Sequence, residues 1–186
     1  MLGVVLTGGA SRRMGRTKAL IEIDGVAMGT RVATAMAEIG CTPVRALGGD
    51  PDELAPLGLA VIPDRWPGEG PLAGIICALE SADSDGLNDV MVLACDLPAV
   101  GPAHLRRLVD AADRAPAADA IVATTGRFEP GCAIWRTSSL GGLLVRFGAG
   151  ERAVHRVLDE LDVVEVALPD AALRNINVPG DLDRYP

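Results

Sequence analysis

Short apolar runs alternate along the chain with stretches whose apolar positions recur every three or four residues. That pattern predicts the strands of a mostly parallel sheet separated by amphipathic helices. Leu2–Thr7 (LGVVLT) is a near-continuous apolar run, as a central strand buried on both faces requires. Residues 28–39 read as a helix stopped by Gly40, and Val44–Leu47 as a second strand ending in Gly48 and Gly49. Leu59–Ile62 is a third strand, closed by Pro63. A loop over 64–71, rich in Pro and Gly, leads into a helix that starts at Pro71, a favoured first helical residue, and runs to Ser81. The strand Val90–Ala94 follows, with Asp96 just past its carboxyl end. A helix over 103–114, a strand over 119–124, helices near 137–147 and 151–161, and edge strands around 132–135 and 163–167 complete the pattern. No internal repeat or linker divides residues 1–186, so the expectation is one α/β domain of three layers, its central sheet covered by helices on both faces.

Composition narrows the class. Apolar residues make up 49% of the chain and charged residues 23%, which excludes a disordered or low-complexity protein. Lys plus Arg number 17 against 25 Asp plus Glu, a net charge of −8, and aromatics are only 3% of the residues. Such a chain has neither the basic footprint nor the stacking surface of a nucleic-acid binder. No apolar run approaches the roughly 18 residues of a membrane span. The opening MLGVVLTGG has no basic stretch before it and reads as a buried strand rather than a signal peptide, so the expected compartment is the cytoplasm. Cys41, Cys77, Cys95 and Cys132 form no CxxC pair and read as reduced, buried thiols. His104 and His155 are too few for a His-rich metal site and read as surface histidines.

The chemistry concentrates in LTGGASRRMGRTKAL, residues 6–20. Gly8 and Gly9 leave the first strand where a side chain would block the approach of a ligand to backbone amides. Arg12, Arg13, Arg16 and Lys18 then invert the local charge of an acidic chain, as a polyphosphate pocket needs. Lys18 is the one lysine among 17 cationic residues, which suggests a role for a compact ammonium. The segment matches neither the GxxxxGK[ST] phosphate loop, the GxGxxG dinucleotide fingerprint nor the GxSxG nucleophile elbow. Asp96, at the carboxyl end of a parallel strand, lies where open α/β sheets bind ligands, and a lone carboxylate with phosphate oxygens and water is a common way to hold Mg²⁺.

The segment resembles the L-x-GG-x-S-x-RMG-x-x-K signature of sugar-nucleotide-type nucleotidyltransferases. Val61–Asp64 (VIPD), Gly70–Gly74 (GPLAG), Ala94–Pro98 (ACDLP), Glu129–Ala133 (EPGCA), Gly148–Val154 (GAGERAV) and Asn175–Leu182 (NINVPGDL) extend the likeness over nearly the full length. The chain is similar in this respect to the molybdenum cofactor guanylyltransferases, which join GMP from GTP to molybdopterin. The resemblance implies a Rossmann-like nucleotidyltransferase fold, with Mg²⁺ as cofactor and GTP and molybdopterin as substrates. It implies that Lys18, Arg12 and Asp96 are catalytic and that Asp96 holds the metal. Nucleotide contacts would come from Leu6, Thr7, Gly8, Gly9, Arg12, Lys18, Asp64, Gly70, Gly74 and Asp96. Asn175, Asn177 and Arg152 would face the pterin-side substrate, with Arg152 equally able to pair with a neighbouring Glu. Asp64 is left open between base and general nucleotide contact. In one place the chain departs from the family: Leu47, Gly48 and Gly49 stand where an Asn is often found, so contacts there fall to the backbone. Transient contact with other cofactor-biosynthesis or acceptor proteins is the expected protein partnership. The nearest alternative is the same chemistry with another base or acceptor: cytidylyl transfer, or transfer to a sugar phosphate or other cofactor precursor. From a different class, the alternative is a nucleotide-binding regulatory protein without turnover.

Overall fold

The computed structural model describes residues 1–8, 17–177 and 181. Strand β1 (Leu2–Leu6) is followed by a 3-10 turn at Lys18–Leu20, a hairpin of β2 (Glu22–Ile23) and β3 (Val26–Ala27), and helix α1 (Met28–Glu38). Then come β4 (Val44–Leu47), α2 (Pro51–Leu54), β5 (Ala60–Ile62), α3 (Pro71–Ser84), β6 (Asp89–Ala94) and α4 (Pro102–Arg114). The chain continues with β7 (Ala120–Thr124), β8 (Phe128–Arg136), α5 (Leu140–Gly148), α6 (Val154–Leu158) and β9 (Val163–Ala167).

Seven strands form one sheet in the order β5-β4-β1-β6-β8-β7-β9, and β2–β3 is a separate hairpin. β4 and β6 flank β1 in parallel, β5 extends β4 in parallel, and only β8 runs against its neighbours β6 and β7. Because successive strand residues face opposite sides, the sheet builds two cores. Val5, Met91, Leu93 and Ile121 meet α1 and α4 on one face, and Val4, Val92, Val122 and Trp135 meet α3, α5 and α6 on the other. α4 is amphipathic, burying Leu105, Leu108, Ala111 and Ala112 on one stripe with Arg106, Arg107 and Asp110 off it. α3 instead buries every residue from Leu72 to Leu79, because it lies between the sheet and α5. This is the three-layer α/β arrangement the pattern predicts.

Two expectations need correction. The segment around 132–135 is not an edge strand: it belongs to β8, nine residues long and paired on both sides. Its first half is polar and carries Pro130, which reads as a turn. A bulge accommodates it, since Val122 pairs with Ala133 and the next residue, Ala123, pairs with Glu129. The helix expected over 151–161 is only Val154–Leu158, because the Glu151 side chain accepts from the amides of Arg152 and Ala153 at 2.7 Å each and keeps them outside the helix. The hairpin β2–β3 and the single turn α2 carry too few residues for periodicity to mark them. By contrast, β9 does lie at the sheet edge. All four cysteines are buried and free. Burial pushes Cys41 up to about 11 and Cys95 and Cys132 up to about 12, so these thiols stay protonated at neutral pH. No described helix is long and apolar enough to cross a membrane.

Candidate functional site

β1 is flanked by β4 on one side and by β6 on the other, so a crevice opens at the carboxyl ends of these strands, where connections diverge. Lys18, in the 3-10 turn, and Asp96, two residues past β6, meet above it. Lys18 Nζ lies 2.9 Å from Asp96 Oδ2 and donates to Asn177 Oδ1 at 2.6 Å. The side chains of Lys18 and Asp96 are 17% and 22% exposed, shielded enough for the charges to act strongly and open enough for a ligand to reach them. The C-terminal segment is fastened here too: Ile176 N donates to the Asp96 carbonyl at 2.9 Å, and Asp181 accepts from Asn177 N at 2.8 Å. Ile176 is buried with Ile23 and Met28 while Asn175 and Asn177 are exposed, the alternation of an extended segment.

A cleft of about 680 Å³ opens beside Thr17, next to Lys18, and extends along the ends of β4 and β5. Its floor is the junction of Thr7, Gly8, Gly48 and Asp64, and α2 forms one wall with Asp50 and Glu53. The Thr7 hydroxyl donates to the carbonyls of Leu47 (3.0 Å) and Gly48 (2.7 Å), tying the ends of β1 and β4 together. Gly48 has φ +74, and a Cβ there would lie 3.2 Å from the Gly8 Cα. Neither the backbone nor the space admits a side chain, which keeps the cleft floor flat. Leu47 is buried with its side chain in the core, so the departure from the family's Asn leaves only backbone at this point. Asp64 accepts from Trp66 N through Oδ1 at 2.9 Å.

The remaining anticipated residues divide. Leu6, Thr7, Gly8, Lys18, Asp64 and Asp96 come together around the crevice and cleft. Gly9 and Arg12 lie outside the described residues, as do Arg13 and Arg16. Gly70 precedes α3 with φ +89. Gly74 is buried within α3, where a Cβ would stand 3.6 Å from Leu47 Cδ2 and 3.9 Å from Leu6 Cδ2, so it brings the helix close to the sheet. Arg152 pairs with Glu69, donates to the carbonyls of Phe147 (2.7 Å) and Glu151 (2.9 Å), and stacks 3.9 Å over the Phe147 ring. Its donors thus brace the start of α3 against the end of α5.

Sequence reasoning leaves three polar residues of this region without a role. Glu129, on β8, is half-buried near Asp96. Burial pushes its carboxyl up, the Gly131 amide donating at 3.2 Å opposes that, Asp96's charge adds to the rise and His155 offsets it. Its motif, EPGCA, was visible, but only the β6–β8 pairing reveals which strand end it reaches. Thr17 stands at a variable position of the 6–20 motif and Glu53 in no motif, and their hydrogen bond of 2.6 Å spans 36 positions. Among the described residues no group of three His, Cys, Asp or Glu side chains could hold a metal. Asp96 Oδ2 and Asn177 Oδ1 nevertheless converge on one cation, the Lys18 ammonium.

The family model described as the MobA-like NTP transferase domain matches residues 3–166. A molybdenum cofactor guanylyltransferase from Rhodobacter capsulatus is 35% identical over 185 residues, covering 98% of this chain and 93% of the relative. A probable molybdenum cofactor guanylyltransferase from Opitutus terrae is 33% identical over 191 residues, covering 99% and 94%. Among solved structures, molybdopterin-guanine dinucleotide biosynthesis protein A from Archaeoglobus fulgidus superposes with a TM-score of 0.75 at 24% identity, covering 100% of this chain and 96% of that one. The 2-C-methyl-D-erythritol 4-phosphate cytidylyltransferase of Thermus thermophilus does so with 0.70 at 18% identity, covering 98% and 95%. At these identities the structural likeness shows the fold, which hosts both guanylyl and cytidylyl chemistry.

Proposed function

Because this chain belongs to the MobA-like NTP transferase family, we propose that it transfers GMP from GTP to molybdopterin, giving molybdopterin guanine dinucleotide and pyrophosphate. The observation that carries the reading is the meeting of Lys18, Asp96 and Asn177 at the crevice beside β1. One ammonium there links the phosphate-type loop, the strand-end carboxylate and the C-terminal segment.

The acceptor's terminal phosphate is already ionised and needs little base catalysis. Its oxygen attacks the α-phosphorus in line, the bond to the β-phosphate oxygen breaks, and the electron pair leaves with pyrophosphate. The protein's contribution is positioning and charge stabilisation. Lys18, with Arg12, neutralises charge growing on the α-phosphate and on the leaving group. Thr7, Gly8 and Asp64 frame the nucleotide, Gly74 sets α3, which Gly70 precedes, close against the ends of β1 and β4, and Gly9 keeps the nucleotide contact that the resemblance implies. Asn175 and Asn177 face the acceptor from the opposite side of the crevice. A divalent ion fits this site because two hard oxygens, Asp96 Oδ2 and Asn177 Oδ1, already converge on a cation. Asp96 would hold Mg²⁺, which when bound supplies Lewis-acid charge to the phosphate oxygens. A GTP-consuming step of cofactor assembly belongs in the cytoplasm, with proteins that supply or receive the cofactor as transient partners.

The test is calorimetric titration of GTP, CTP, ATP and UTP with Mg²⁺ at one fixed salt concentration. GTP is expected to bind at least tenfold more tightly than CTP, about 1.4 kcal/mol. A CTP preference would move the protein to cytidylyl transfer.

A further inference from the structure

The strand order separates the two halves of the site. With Lys18 and Asp96 assigned to the phosphates, the neighbouring cleft at the ends of β4 and β5 is the space left for the rest of the nucleotide. The hydrogen-bonding groups of that cleft are strongly biased. Its described lining contains the carboxylates of Asp50, Glu53 and Asp64 and no Lys, Arg or His. Several of its donors are already engaged. The Thr7 hydroxyl serves Leu47 and Gly48, the Thr17 hydroxyl serves Glu53, and the amides of Thr7, Gly8 and Gly48 serve the carbonyls of Leu47 and Ile62. A wall that offers three carboxylates and no cationic side chain among its described residues favours a ligand edge rich in donors. Guanine alone among the four bases presents two adjacent donors, N1–H and N2–H, on its pairing edge. Cytosine presents two acceptors and one donor.

The three carboxylates differ in what they can still do. Asp50 holds the start of α2, with Oδ1 accepting from Asp52 N at 2.8 Å. Asp64 lies at the floor, its Cβ 3.8 Å from where a Cβ on Gly48 would stand, and accepts from Trp66 N. Glu53 stands on the α2 wall with a longer, exposed side chain. Its Oε2 is oriented by the Thr17 hydroxyl at 2.6 Å, and its Oε1 accepts no hydrogen bond among the described residues.

Resting on the guanylyl-transfer reading, we propose that Glu53 reads the guanine base, accepting N1–H and N2–H on its two carboxylate oxygens while Thr17 fixes its orientation. Thr17 directly precedes Lys18, so the residue that positions the base reader is contiguous with the one at the phosphates. This also explains how the chain recognises guanine without the Asn absent at Leu47: the contact comes from the next element of the chain, α2.

The test removes one partner of the contact from each side. GTP, ITP (which lacks the 2-amino group) and CTP are titrated calorimetrically into the wild type and into Glu53→Ala, Glu53→Gln and Asp64→Asn. The wild type is expected to bind GTP about tenfold more tightly than ITP. In Glu53→Ala that ratio falls to near one. In Glu53→Gln, whose amide places a donor against guanine's donors, GTP weakens while CTP holds or improves. Asp64→Asn keeps the GTP-to-ITP ratio. A wild-type GTP-to-ITP ratio that survives both Glu53 substitutions, equal losses for all three nucleotides, or collapse of the ratio in Asp64→Asn instead would overturn the proposal. Equal binding of GTP and CTP by the wild type contradicts guanylyl transfer itself, a different outcome read from a different arm.

Discussion

Replacing Lys18 with alanine is expected to lower kcat by about 10²–10³, because in the proposed mechanism the ammonium meets the α-phosphate and leaving group as they become more negative. Steady-state pyrophosphate release measures this. The fold survives the change, since neither large hydrophobic core includes Lys18. Arginine restores little of the loss. The ammonium is a compact charge seated between Asp96 Oδ2 at 2.9 Å and Asn177 Oδ1 at 2.6 Å, a gap that a planar guanidinium does not fill. Near-full activity in Lys18→Ala would remove the residue from the catalytic machinery.

The second large effect is expected from Asp96→Asn. The amide keeps the size of the side chain and an acceptor for Lys18, but loses the negative charge. Activity is expected to fall on the order of 10²–10³, and the Mg²⁺ concentration giving half-maximal rate is expected to rise. Titrating Mg²⁺ at saturating GTP separates the two parts. A loss of rate with an unchanged Mg²⁺ dependence would show that Asp96 acts through Lys18 and the C-terminal segment, without holding the metal.

Much of the architecture was legible because strand and helix periodicities differ. The apolar runs of β1, β4 and β6 and the amphipathic stripe of α4 were visible before any geometry. β8 was misread because its first half, polar and carrying Pro130, pairs with β7 alone across a bulge, while β6 covers only its second half. α6 came out short because one side chain, Glu151, competes for the first amides. The site shows the same division. Lys18 and Asp96 stood out by residue type and position, and the structure adds that Lys18 bonds both Asp96 and Asn177. Asn177 was visible only through its motif, whereas Glu53 had no local signal. Its relevance arises from α2 forming the cleft wall and from a hydrogen bond to Thr17, 36 positions away. Arg12 and Gly9, prominent in the sequence, lie outside the described residues, so their part in the chemistry rests on the resemblance.

The central claim is guanylyl transfer at the Lys18–Asp96 crevice, and the most direct measurement uses GTP labelled at the α-phosphate with molybdopterin as acceptor. The account predicts that label appears in a pterin dinucleotide, with one pyrophosphate released per transfer, and that both signals collapse together in Lys18→Ala. Label transferred from CTP and not from GTP, or product formed undiminished by the Lys18 variant, would contradict it.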